Sequence, residues 1–354
     1  MNAFAGGIVA ALMACPQSVF AQCTVTPGGT INCAVNTATN PGTTNINGAN
    51  PSSSDATQIF NNGSPINATI TSGTTISGGG LNLVVTTASG IGVINNGSLT
   101  TAQSPALVIN GNGGAITYSG NGSITNPTGA NDGLTILNSG AGTVDVGTAA
   151  TPVTPTISGG IGLAVNTVNA NQTINVSGGS VTTTAPAASS IGGIAVNLVV
   201  AGTGNSTAAF TGGSSIVNAS GLTNTVGIQA LAASSGIISI TSDATIGSAA
   251  SPFFLGINAQ ATSGNIAITQ SGAVFSTSNS VMAQTTAGGA VTVTAPGPLA
   301  SINGPAIFAE QLGGNGNVQV TSGVVNGGIA AQVSGTGTGK VDATGAVPAR
   351  PAFQ

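Results

Sequence analysis

The charged side chains in this 354-residue chain are few enough to name. They are Asp55, Asp132, Asp145, Asp243, Glu310 and Asp342 against Lys340 and Arg350, with no His and no Trp. Catalysis by proton transfer needs titratable groups held together, and without His the commonest general base is gone. Asp132 and Asp145 fall in one sequence repeat and form the one carboxylate pair that a polysaccharide-cleaving site could use. The nearest cation in sequence is Lys340, so a solvated turn is expected for Asp132 and an outward strand position for Asp145. Glu310 and Asp342 lie about one repeat apart with Lys340 nearby, which predicts a small charged spot on adjacent turns, a surface ion pair of little energetic weight.

Two glycine-rich stretches have a superficial look of ligand loops. In Gly335-Thr336-Gly337-Thr338-Gly339-Lys340 a phosphate loop would need Ser or Thr next, and Val341 stands there, so a turn is expected. Gly313-Gly314-Asn315-Gly316 is similar to one calcium-binding repeat, but it is not tandem and Val318 replaces the Asp ligand. Cys23 and Cys33 bracket TVTPGGTIN, and a metal would need further ligands beside them. Pro27-Gly28-Gly29 supplies a turn that folds the two ends together, so a Cys23–Cys33 disulfide is expected in an oxidising compartment. Closing so small a loop contributes about 2–3 kcal/mol on the chain-entropy model. No metal or other cofactor is expected.

Export is read from the amino terminus. Residues 3–14 (AFAGGIVAALMA) form a short apolar run, and Val19-Phe20-Ala21 approximates the small-residue pattern of signal peptidase, so residues 1–21 are expected to be a signal peptide cut after Ala21. The rival site, Leu12-Met13-Ala14-Cys15, would make a lipoprotein, but Met13 fits it poorly. A membrane-spanning helix would need about 20 apolar residues.

Composition sets the elements that must position these groups. Only 2% of residues are charged, 40% are hydrophobic and 56 are Gly, with a net charge of −4. Two cations leave no footprint for nucleic acid, whose binding rests on Lys and Arg neutralising phosphates. Disorder couples low hydrophobicity to high net charge, which is not this balance. Val, Ile and Thr favour strands, and interior Gly costs a helix about 1 kcal/mol relative to Ala. The chain is expected to be all-β, with hydration supplied by Asn, Ser and Thr.

Self-comparison gives the organisation. A short motif recurs as Gly227-Ile228-Gln229-Ala230, Gly256-Ile257-Asn258-Ala259, Val281-Met282-Ala283, Ala306-Ile307-Phe308-Ala309 and Gly328-Ile329-Ala330-Ala331. Weaker copies end at Leu83, Ile109, Ile136, Val165 and Val196, giving ten units spaced 22 to 34 residues apart. About ten residues on comes a second alternating strand, as in Ile116-Thr117-Tyr118, Val144-Asp145-Val146, Ile174-Asn175-Val176 and Val291-Thr292-Val293. Period two with one apolar side means one buried and one wet face. A third apolar element follows at Leu99, Ile124, Val181, Ile216, Ile246, Val274, Leu299 and Val324.

Three short strands per unit joined by Gly-rich turns predict a single-stranded parallel β-helix, a solenoid of about ten or more rungs, because stacking is what covers each unit's apolar side chains. An antiparallel sandwich or barrel also uses short strands, but does not require the same residue types at the same place in each unit. The expected layout is a signal peptide at 1–21, an amino-terminal cap and first rungs at 22–80, β-helix repeats at 81–345 and a linker-like or truncated end at 346–354. Extra residues in a solenoid leave the stack as loops, so Thr182-Thr183-Thr184-Ala185-Pro186 and Asn218-Ala219-Ser220-Gly221 are the expected binding loops.

The opening Gln22-Cys23-Thr24-Val25-Thr26-Pro27-Gly28-Gly29-Thr30-Ile31-Asn32-Cys33, followed by Asn/Gly/Thr-rich repeats, resembles the amino-terminal passenger of Gram-negative autotransporters. The likeness covers essentially the whole mature chain through compositional motifs. It implies a right-handed β-helix threaded through an outer-membrane barrel and displayed as an adhesin or, less often, an enzyme. A barrel needs roughly ten-residue alternating strands with aromatic girdles. One Tyr and nine Phe do not supply them, so the resemblance implies a barrel encoded elsewhere or lost by truncation. The expected function is an exported, non-catalytic structural or adhesive passenger at the cell surface, meeting a host or neighbouring cell, matrix or glycan. The alternatives are a β-helical polysaccharide lyase or hydrolase and a self-associating surface-layer or biofilm protein.

Overall fold

The computed structural model describes residues 23–26, 30–33, 45–47, 58–62, 65–70, 72–73, 75–78, 80–102, 105–186 and 193–344. The expected signal peptide and the end at 346–354 lie outside them. Among the described residues every regular element is a β-strand, arranged in a 13-stranded and a 21-stranded sheet. The fold is a parallel β-helix.

One circuit of chain shows how it is built. Leu107–Gly111 forms a first face, Ile116–Ser119 a second and Ser123–Thr125 a third. Leu107–Gly111 pairs in parallel with Leu81–Val85 before it and Leu134–Asn138 after it, one rung away on either side. Second-face strands make up the 13-stranded sheet, while first- and third-face strands share the other. Val274–Thr285 crosses the corner between those two faces as a single strand, pairing with Leu299–Ser301 at one end and Ile307–Gln311 at the other.

Alternation fixes which side chains enter the core. On the first face Leu107, Leu134, Leu163, Val196, Ile228 and Ile257 stand one above another, all inaccessible to solvent. Each fully buried side chain of this size is worth about 1.5–3 kcal/mol relative to exposure. A single rung could not cover them; its neighbours do.

Pairing register corrects three sequence-based positions. The residue level with Val165 and Ala230 is Leu198, not Val196, which pairs with Ile228. Opposite Val144 stands Gln172, so the expected Ile174 sits two residues along, level with Val146. On the third face Val325, level with Leu299, enters the core, whereas Val324 is 55% exposed.

The displaced Gln172 makes a polar break in an aliphatic column. Its level neighbours are Val144 on one side and Ser206 on the other, and both Gln172 and Ser206 are buried. Gln172 Nε2 donates to Ser206 Oγ at 3.0 Å, while its Oε1 has no partner in the protein. Deleting one member of such a pair strands the other's polar group, whereas replacing both with apolar groups is close to neutral. Ser206→Ala is therefore expected to lower stability by about 1–3 kcal/mol. Gln172→Leu/Ser206→Ala should recover most of that loss in denaturant titration, and equal losses from the single and double variants would contradict this view.

At the amino-terminal end the strand direction reverses. Cys23–Thr26 pairs antiparallel with Thr30–Cys33, which pairs in parallel with Ile66–Ile70. The other sheet begins likewise, Asn45–Asn47 lying antiparallel to Gln58–Asn62. In the first pair the backbone register sets Cys23 opposite Cys33.

Candidate functional site

The two carboxylates expected in one repeat lie on different faces. Asp145 is central in Val144–Val146 on the second face, level with Thr117 and Thr173 and within 3.4 Å of the Thr143 hydroxyl, which donates to it. Asp132 sits just before the first-face strand Leu134–Asn138, where its Oδ2 accepts from Thr135 Oγ1 at 2.9 Å. No bond joins them among the described residues, and each has its own partners. The geometry does not assemble an acid–base pair.

Asp132 is nonetheless the carboxylate with a distinct environment. Burial pushes its pKa above the ordinary aspartate value, against the lowering by the Thr135 hydroxyl and the Ile161 backbone N–H, and its Oδ1 has no partner. A carboxyl whose folded pKa exceeds its unfolded one holds its proton more tightly when folded. Its contribution to stability is then present at acid pH and lost as pH rises from the ordinary Asp range through the raised value. We expect the unfolding free energy of the parent chain, relative to Asp132→Asn, to fall between acid and neutral pH. A difference that stays flat with pH would contradict this environment.

The loops expected to bind are partly strand and are tied to one another. Thr182 and Thr183 belong to Ser180–Thr183, and Asn218 ends Ser215–Asn218. Beyond them, Ala219 N donates to Thr183 O at 2.9 Å and Gly221 N to Ala185 O at 3.0 Å. Asn218 Nδ2 donates to Pro252 O at 2.7 Å, and Thr184 Oγ1 reaches Asn126 O at 3.4 Å. Successive long corners therefore stack at the third-to-first-face edge, and the Asp132 loop belongs to that stack.

The expected charged spot divides in two. Lys340 Nζ and Asp342 Oδ2 are 2.7 Å apart along the strand Gly339–Ala343, on the second face. Glu310 lies on the first face, only 7% exposed, and accepts from Gln284 Nε2 at 2.5 Å. It belongs to an outward column that runs Gln260, Gln284, Glu310, Gln332 through successive rungs. A comparable column of hydroxyls, Thr241, Thr269, Thr294 and Thr321, runs along the second face. The threonine ladder is open to solvent, whereas in the other ladder Glu310 is largely covered and is bonded to Gln284. Their members were legible as the polar half of each alternating strand; the column they share needed the register.

A second set of polar residues, unforeseen in the sequence, works inside. Asn138 Nδ2 donates to Gly114 O at 3.0 Å while its Oδ1 accepts from Gly113 N at 2.9 Å. Gln270 Nε2 donates to Ala244 O and Gly272 O at 2.9 and 3.0 Å. Both satisfy turn backbone that would otherwise be buried unpaired. Asn95 Nδ2 donates to the Tyr118 hydroxyl at 3.3 Å, and burial pushes that phenol up to about 12. The available signal was a polar residue two places after a pair of inward aliphatics, as in Leu134-x-Ile136-x-Asn138 and Ile266-x-Ile268-x-Gln270. Among the described residues no three of Cys, Asp and Glu approach closely enough to hold a metal ion. Comparison with known proteins adds no relative: no family model, no curated protein and no solved structure matches the chain.

Proposed function

We propose that this chain is an exported, surface-displayed passenger of the autotransporter type, acting as a non-catalytic adhesive rod. The observation that supports this reading is the pair of outward ladders, Thr241–Thr269–Thr294–Thr321 and Gln260–Gln284–Glu310–Gln332. Hydroxyls recur along the first ladder, and amides interrupted by the Glu310 carboxylate along the second, at about the 4.8 Å spacing of neighbouring strands. A surface of this kind suits a partner that is itself extended and uncharged, such as a glycan, matrix or neighbouring cell surface. The proposal includes removal of residues 1–21, a Cys23–Cys33 disulfide at the amino-terminal end, a right-handed sense for the rod, and a translocating barrel encoded elsewhere or lost by truncation. The test is binding of the purified mature chain to cells, matrix proteins and a glycan array, with light scattering of the free chain alongside. Saturable binding is expected; a monodisperse chain that binds none of the three would overturn the proposal.

A further inference from the structure

Most glycines inside the strands of this rod have a visible cause, because a side chain would run into neighbouring backbone. A Cβ on Gly162, Gly227 or Gly256 would overlap the carbonyl oxygens of Ala195, Gly256 and Ser280 respectively. Gly92, in the middle of Ile91–Asn95, is different. It faces outward, pairs in register with Asn67 and Thr117 without a bulge, and is not among the glycines with positive φ. A Cβ there would meet side-chain ends only, Asn67 Oδ1 at 2.9 Å and Thr117 Oγ1 at 3.5 Å. Glycine in a strand interior weakens it, and where neither bulge nor backbone requires it, it marks a place that something else approaches closely.

Around Gly92 the second face holds an open notch of about 240 Å³, lined among others by Asn67, Thr69, Ile94, Thr117 and Ser119. That is below the roughly 300–1,000 Å³ of drug-sized pockets, and it leaves room for one small ring. Its rim carries an amide and three hydroxyls, of which Ser119 Oγ already donates to Val93 O at 3.3 Å, and no charged group lines it. Beside them Ile94 is 46% exposed, a large aliphatic surface level with Thr69 and Ser119. Hydroxyl and amide groups around an aliphatic floor are complementary to a neutral polyhydroxylated ring, whose hydroxyls meet the rim while its C–H face covers Ile94 and the Gly92 backbone.

We propose that the Gly92 notch is a subsite for a single neutral sugar residue of a glycan, an inference that rests on the adhesive reading and gives it a ligand class and a position. Gly92→Thr tests it, because Thr continues the hydroxyl column from Thr117, suits a strand, and puts a branched side chain into the middle of the notch, where its Cβ meets the end of Asn67. The probes are the methyl glycosides of glucose, galactose and N-acetylglucosamine, followed by saturation-transfer NMR, and an array of neutral oligosaccharides. The parent chain and Ser158→Ala, on the third face, are expected to bind alike. Gly92→Thr should bind at least tenfold more weakly, with an unchanged or higher melting temperature. Equal binding by Gly92→Thr would overturn the subsite and leave the adhesive reading standing. Binding of matrix protein or cells with no response to any neutral sugar would overturn the ligand class alone, and no binding to any partner would overturn both.

Discussion

Phe210→Ala is expected to destabilise the rod by about 3–5 kcal/mol, the range for removing a fully buried aromatic ring. The reason lies in its own strand, Ser206–Thr211, where the three inward positions are Ser206, Ala208 and Phe210. The rung after it places Ile238, Ile240 and Ser242 level with these, large where the first is small and small where it is large. Phe210 thus supplies most of the apolar volume that its strand gives the core, and dense interiors do not close over a hole of that size. Phe254, 39% exposed on the strand Phe253–Ala261, provides the contrast. Its replacement by Ala should shift stability by no more than about 0.5 kcal/mol. Denaturant midpoints of the two variants check the pair, and comparable losses would mean that the core has been misplaced.

The second large effect concerns the first-to-second-face corner, where glycines stack in successive rungs. A Cβ on Gly236, Gly264, Gly289, Gly316 or Gly337 would overlap the carbonyl oxygen of the stacked turn before it: Gly204, Gly236, Gly264, Gly289 and Gly316 respectively. Rungs at strand spacing leave no room between turns for a methyl group, so the turn must move or the ladder beside it must open. Gly264→Ala is expected to lose about 1–3 kcal/mol, as overpacking of a dense interior does. Gly92→Ala, which meets only side-chain ends, should be neutral or stabilising. Thermal melts of both measure the difference. This stack accounts for six of the 56 Gly, which sequence reasoning took only as turn punctuation.

How far the sequence could be read follows from what each residue signals. The inward columns were legible where aliphatics alternate with polar residues, as in Val291-Thr292-Val293. They failed where alternation was ambiguous. Ile194, Val196, Leu198 and Val200 all sit at period two in Ile194–Val200, so the strand was evident but its level against Val165 and Ala230 was not. In Val324-Val325 a slip of one residue exchanges core for solvent, and two adjacent valines carry no information about which enters. Ser206–Thr211 escaped notice because its inward residues before Phe210 are Ser and Ala. Asp132 and Asp145 illustrate the limit for a site: nearness within a repeat sets the rung, while the face depends on where each corner falls.

The rung-to-rung register underlies the columns, the ladders and the Gly92 notch alike, and cross-linking reads it directly. With the native cysteines replaced by Ser, Ser239→Cys and Ala267→Cys stand level on adjacent strands of the second face. Neighbouring strands lie about 4.8 Å apart, within the roughly 4.4–6.8 Å Cα separation a disulfide spans. Ser239→Cys with Thr269→Cys is displaced by two residues and falls outside that range. Mild oxidation should cross-link the level pair and leave the displaced pair free; efficient cross-linking of the displaced pair, or of neither, would contradict the stacked register.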